Sequence, residues 1–282
     1  MAIRLVVDSS SDLPKEIITK YNIKVVPLYV LFGEEEYLDG VDISSADFYT
    51  KLAESITVPT TSQVTPDRFF KAFQEILDEG DEVVCITIGS NASGTCQSAL
   101  VAMDKLKSEK ISVLDSNNLC MGTGYLVILA ADLIEKGVER EELMSRLKPY
   151  TQNKIEHLFC VNTLEYLKRG GRIRASKAFV AEILNIKPVL NVKDAITQPI
   201  GKVRGRKKII PYYLTHIENT MDFEANQFIS VAHSESKEFA NEFIEAFREK
   251  FNWEKPIYLS DIGAVIGTHT GPGVLALFYI KR

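Results

Sequence analysis

Cys85-Ile86-Thr87-Ile88-Gly89-Ser90-Asn91-Ala92-Ser93-Gly94-Thr95-Cys96-Gln97-Ser98-Ala99-Leu100 is the stretch from which the rest of the chain can be placed. A β-branched run from Glu82 to Ile88 stops at Gly89, crosses small hydroxyl residues and enters an apolar pattern at helical spacing through Leu100, Met103 and Leu106. That pattern predicts a strand, a loop and a helix. The two glycines and the threonine after the second resemble a phosphate-binding loop. Gly94, however, runs directly into Thr95 with no lysine between them, which leaves a nucleotide's charge unmatched. The free N–H groups and positive dipole end of a helix beginning near Ser93 suit a singly charged carboxylate better than a triphosphate. The simpler alternative is that Ser93 only caps its helix.

The 282 residues are enough for two domains, each with its own core. At 45% apolar and 25% charged residues the composition is that of a soluble globular protein, and a net charge of -5 argues against general nucleic-acid affinity. A strand-like Ile3 to Val7 at the start leaves no room for a signal peptide, and the longest apolar run, around Tyr125 to Ile134, carries Asp132 and is too short to span a bilayer. A cytoplasmic protein is expected. Cys85, Cys96, Cys120 and Cys160 fall singly in apolar or helical stretches and read as buried thiols, neither disulfides nor a zinc site.

Along the chain, Asp12 and Pro14 form a helix-start signature, and Ile23 to Val30 reads as the next strand, followed by a hairpin turn tipped by Glu34, Glu35 and Glu36. Between Pro59 and Pro66 lies a loop of hydroxyls that either presents Thr61 and Ser62 to a ligand shared with the Ser93 turn or leaves them solvated, with Thr65 simply the cap of the next helix. Ile111 to Leu114 is a short strand, and Gly122 and Gly124 open a helix apolar on most sides. Four strand–helix alternations precede position 150, so the expected fold is α/β: an open, mainly parallel sheet flanked by helices over 1–150, with ligands expected beyond the carboxyl ends of its strands, then a mixed-sheet α/β domain over 151–282.

In the second half, two glycines precede Arg172 and aim its guanidinium inward at an acidic group. A helix is expected from Ser176 to Leu184, and Asp194-Ala195 forms a turn. Lys202, Arg204, Arg206, Lys207 and Lys208 put five cations in a short run on an acidic protein, either a solvated face or a docking surface for an acidic partner protein. His269 lies in a glycine-rich bend between apolar strands, where packing does not call for imidazole; His157, His216 and His233 have structural roles. A serine hydrolase built on Ser93 and His269 lacks Gly-x-Ser-x-Gly and an orienting carboxylate. Ligand spacing for a metal is missing, and Asp8-Ser9-Ser10-Ser11 after the first strand rules out a dinucleotide fingerprint. What remains is a carboxylate held at the mouth of an apolar cavity.

Five motifs then resemble those of the DegV family, in order and over essentially the whole chain. They are Val58-Pro59-Thr60-Thr61-Ser62-Gln63, Ser93-Gly94-Thr95-Cys96-Gln97-Ser98-Ala99, Leu164 to Ile173 around Gly170-Gly171-Arg172, Ile186-Lys187-Pro188, and His269-Thr270-Gly271-Pro272-Gly273. The resemblance implies a two-domain bacterial lipid-binding protein that encloses a long-chain fatty acid such as palmitate, stearate or oleate, without any other cofactor. It implies that Thr61 and Ser93 hydrogen-bond the carboxylate, that Arg172 and His269 lie near it, and that Ser62, Gly94, Thr95 and Thr270 belong to the ligand-binding set. It further implies a separate ATP-binding fatty acid kinase subunit that phosphorylates the bound acid, docking on Lys202 to Lys208. Two departures stand out: Ala92 where the family commonly has Leu, and Arg174 where a small residue is usual. An esterase or thioesterase using Ser93 and His269 is the alternative.

Overall fold

The structure, a computed structural model, describes residues 2–174 and 185–282. The helix expected over Ser176 to Leu184 lies outside the described residues.

The first half contributes β1 (Ile3–Asp8), α1 (Lys15–Lys20), β2 (Lys24–Val26), β3 (Tyr29–Phe32), β4 (Glu35–Leu38), α2 (Ser45–Glu54) and β5 (Thr60–Ser62). α3 (Pro66–Asp78), β6 (Glu82–Thr87), α4 (Thr95–Leu106), β7 (Ile111–Asp115), α5 (Met121–Glu135) and α6 (Arg140–Leu147) follow. The opening stretch forms strand, loop and helix as expected. β1, β2, β6 and β7 form a parallel sheet in the order β2-β1-β6-β7. The four central residues Val83 to Ile86 are fully buried, as a strand covered on both faces requires.

Three expectations in this half fail. Ile23 to Val30 is not one strand: β2 ends at Val26, and after Pro27 the chain passes into β3, in a separate antiparallel sheet of order β4-β3-β5. The supposed hydroxyl loop supplies that sheet's edge, with Thr61 paired to Val30. The hairpin turn at Gly33-Glu34 is as read, with Gly33 at φ +65°. Asp12 does not cap α1; it sits buried at φ +50° after the one-turn helix Ser9–Ser11.

The second half contains β8 (Ile155–Cys160), α7 (Glu165–Arg169), β9 (Ile186–Lys193), β10 (Ile196–Arg204), α8 (Ile209–Thr220) and β11 (Ile229–His233). α9 (Lys237–Phe251), β12 (Ile257–Asp261), α10 (Ala264–Thr270) and β13 (Leu275–Ile280) complete it. Its strands form one mixed sheet, β10-β9-β8-β13-β11-β12, in which only β11 and β12 run parallel. The Asp194-Ala195 turn has both residues at φ +54°, the left-handed pair of a tight hairpin.

α5 joins the halves. It packs on β1 and β6 of the parallel sheet and on β8, β11 and β13 of the mixed sheet, and Met121 to Ile128 are all buried. A helix between two sheets has no solvated face, which explains its apolar character all round. Gly122 approaches a side chain: a Cβ there would lie 2.0 Å from His157 Nε2. The final correction concerns His269, which sits in the last turn of α10 and not in a bend.

Candidate functional site

The turn after β6 is built from backbone. Ala92 N–H and Ser93 N–H donate to Gly89 O at 3.0 and 3.3 Å, and Gly89 cannot carry a side chain because a Cβ would meet Ala195 Cβ at 2.3 Å. Gly94 stands at the N-cap of α4, where a Cβ would fall 1.9 Å from Gln63 Oε1. Ser93 Oγ accepts from Thr95 N–H at 3.3 Å and is hydrogen-bonded to Thr95 Oγ1 at 2.9 Å. Ser93 thus makes local bonds at the helix start, and its residue also lines an apolar cavity at the junction of the halves.

Arg172 reaches this turn, but not through an acid. Its Nε and Nη2 donate to Ala92 O at 3.0 and 2.9 Å, and Nη1 donates to Gly170 O at 2.6 Å. The guanidinium therefore ties the second half's glycine bend to the residue before Ser93.

On the opposite wall, Thr61 Oγ1 lies 2.9 Å from His269 Nε2. α10 is held where this contact forms by two buried carboxylates of the first half: Gly263 N–H donates to Asp12 Oδ1 at 2.9 Å and Ala264 N–H to Asp39 Oδ1 at 3.1 Å. Cys120 Sγ–H donates to Asp12 Oδ2 at 2.9 Å. Burial raises Asp12 well above the ordinary carboxylate range, with the Asp39 charge adding to the effect, and burial lifts Asp39 to about 6. At the other end of α10, Gly170 abuts the Nδ1 edge of the imidazole; a Cβ there would be 2.1 Å from His269 Nδ1. That Nδ1 is buried and has no hydrogen-bond partner among the described residues. Burial, with the Arg172 charge adding to it, pushes His269 down to about 4, so the ring is neutral at pH 7.

These walls enclose a cavity of about 400 Å³, within the range of small-molecule sites. Thr61, Ser62, Ser93, Gly94, Arg172, His269 and Thr270 line it; Thr95 does not, being buried behind Ser93 with Oγ1 accepting from Val64 N–H at 3.4 Å. Val274, Ala276 and Phe278 alternate onto the cavity. At about 3.4 Å per residue this apolar wall runs about 14 Å from the α10 end. His157 stands beside Phe278, ring centroids 5.2 Å apart. Its Nε2 accepts from Leu119 N–H at 3.3 Å, so the proton sits on Nδ1, 3.2 Å from Ile155 O, and burial pushes the ring down to about 3.

Gln63, Thr197 and Asp39 were not singled out from sequence, and Asp12 was read only as a helix cap. Gln63 lay inside a quoted motif; Thr197, whose hydroxyl donates to Arg172 O, and Asp39 carried no local signal. Ser93 and His269 direct their hydrogen bonds to Thr95 and Thr61, not to each other. Among the described residues no group of three or more His, Cys, Asp or Glu could hold a metal, and no helix is long and apolar enough to cross a membrane. The five cations from Lys202 to Lys208 are all exposed, two on the edge strand β10 and three on the turn after it.

The family model described as "Uncharacterised protein, DegV family" matches residues 2–282. A DegV domain-containing protein of Caldanaerobacter subterraneus subsp. tengcongensis is 37% identical over 281 residues, 99% of each chain. A DegV family protein from Thermus thermophilus, described by its fatty acid binding, superposes with a TM-score of 0.91 at 32% identity over 100% of both chains. A stearic acid-binding protein from Eubacterium ventriosum superposes with a TM-score of 0.86 at 29% identity, covering 100% of this chain and 98% of that one. With its two-domain α/β fold and full-length match, the chain belongs to the DegV family.

Proposed function

We propose that the protein binds one long-chain fatty acid between a domain of residues 1–150 and a domain of residues 151–282, and presents its carboxylate to a separate ATP-binding kinase subunit. The observation that carries the reading is the cavity itself: an apolar wall along β13 that ends at neutral hydroxyl and imidazole groups. The relatives described as binding fatty acids support it. Burying about fifteen methylenes is worth about 12 kcal/mol gross at about 0.8 each, before ordering costs. The tail supplies affinity, and the head supplies orientation. Thr61 and Ser93 hold the carboxylate, Ser62, Gly94, Arg172, His269 and Thr270 surround it, and hydroxyl donors leave an oxygen free for phosphoryl transfer in a way that a bidentate arginine clamp would not. Lys202, Arg204, Arg206, Lys207 and Lys208 form the kinase-docking face, in the cytoplasm. The protein acts as a carrier without catalysis of its own.

Mass spectrometry of organic extracts from the purified protein tests this directly. A stoichiometric long-chain acid is the expected result. A protein without lipid that cleaves acyl esters, with loss of cleavage in Ser93→Ala, would establish the esterase instead.

A further inference from the structure

The mixed sheet carries a second recess on its other face. Along β8 and β13, Phe159 and Ala276 point into the lipid-sized cavity, whereas Cys160 and Leu275 point the opposite way, into a recess of about 40 Å³. Lys187, Arg206, Asn162 and Ser236 complete its polar lining, and among the described residues no carboxylate lines it.

The recess is built, not incidental. The Arg206 guanidinium is seated over the Phe239 ring, 4.3 Å from its centre, and Lys187 Nζ donates to Asn162 Oδ1 at 2.9 Å. Asn162 is oriented in turn by donating from Nδ2 to Pro272 O at 3.0 Å, and Gly273 must lack a side chain because a Cβ would lie 1.9 Å from that nitrogen. Ser236 stands at the N-cap of the fifteen-residue α9, whose first-turn N–H groups have no intrahelical acceptors. Its side chain makes no cap bond, and the residue is only 6% exposed. A buried serine at a helix start ordinarily caps its own helix; here the hydroxyl is left for something else. Two cations, a helix's positive end and the non-capping hydroxyl of a largely buried serine converge on one small space.

We propose that this recess binds a single tetrahedral oxyanion, either inorganic phosphate or the phosphoryl group of a small monoester. The volume is about that of three water-sized probes, enough for a phosphoryl group and too small for a nucleoside. Phosphate would accept from Lys187, Arg206, Ser236 and the α9 amides together. This assignment does not depend on what fills the larger cavity.

The test is titration of the full-length protein with inorganic phosphate and with glycerol phosphate at constant ionic strength, read by calorimetry and by ³¹P line broadening. Saturable binding at one site is expected. Arg206→Gln and Lys187→Gln each weaken it roughly tenfold, the loss of one charge-assisted hydrogen bond, and Ser236→Ala weakens it by a smaller factor, while Lys168→Gln on the exposed face of α7 leaves it unchanged. Arg206 is exposed, so its variant folds whatever the others do. Tighter binding of the monoester identifies a pendant phosphoryl group as the ligand, and equal or weaker binding identifies free phosphate. No saturation at millimolar phosphate, or binding that survives all three substitutions, overturns the proposal.

Discussion

Thr61 and His269 bond each other in this structure, so a carboxylate arriving between them exchanges hydrogen bonds as much as it adds them. Ser93 is similar, already bonded to Thr95. Thr61→Val and Ser93→Ala are therefore each expected to weaken fatty acid binding by roughly tenfold, the lower end of a charge-assisted hydrogen bond, while uptake of the tail persists. Displacement of a fluorescent fatty acid measures this, and unchanged affinity in both variants would remove the proposed head-group site. His269 also sets a pH dependence. Its pKa falls from an ordinary 6.5 to about 4 on folding, so the unfolded chain binds the extra proton between those values. The stability it contributes is fully present above pH 6.5 and is lost as pH falls toward 4. His157, pushed down to about 3, acts in the same direction over a wider window, and Asp39, raised to about 6, acts oppositely. In thermal melts from pH 7 to pH 5, His269→Gln should lose less stability than the wild type; an equal or larger loss contradicts the assigned shift.

Among the elements, α10 depends most on the rest of the protein. Seven residues containing Gly267 and three threonine or histidine positions have little helical tendency of their own, which is why Gly263 to Gly271 reads as a bend in the sequence. Asp12 and Asp39, more than two hundred residues away in the chain, accept its first N–H groups, and Gly267 makes room for Tyr49, where a Cβ would sit 2.5 Å from the phenol oxygen. Asp12→Ala should cost about 1–3 kcal/mol by leaving Gly263 N–H buried and unpaired. It should also loosen His269, so that denaturant melts and lipid affinity fall together; lost stability at unchanged affinity would separate the two. The strands β1, β6 and β7 of the parallel sheet were legible because apolar, largely β-branched runs ended in turn residues. β5 was not, because three hydroxyl residues on a sheet edge carry no hydrophobic period. The bond from Arg172 to Ala92 O was not legible either, since a backbone carbonyl acceptor leaves no mark in the sequence.

Across the whole molecule, the cavity's walls come from both halves, so a ligand there ties the two sheets together. At a hundredfold excess over Kd a bound acid should stabilise the fold by about 2.7 kcal/mol. Delipidated protein should accordingly melt at a lower temperature and recover on adding oleate, and no recovery would argue against a buried ligand. The cationic face makes a separable prediction. Lys207→Glu with Lys208→Glu should weaken docking of the proposed kinase subunit in a salt-dependent way and leave lipid binding unchanged, because both residues are exposed and neither lines the cavity. Pull-down at two salt concentrations beside lipid titration checks this. Lys202 and Arg204 on an edge strand also deter pairing with another chain.

The four thiols have a practical consequence. All are free and buried, with Cys85 and Cys96 in the parallel-sheet half, Cys160 in the mixed-sheet half and Cys120 on the cavity wall between them. A maleimide can modify each only when its own neighbourhood opens. Mass-resolved labelling over time therefore maps, without introduced probes, which part of the protein breathes first, and a guest lying against Cys120 should slow that sulfur more than the other three.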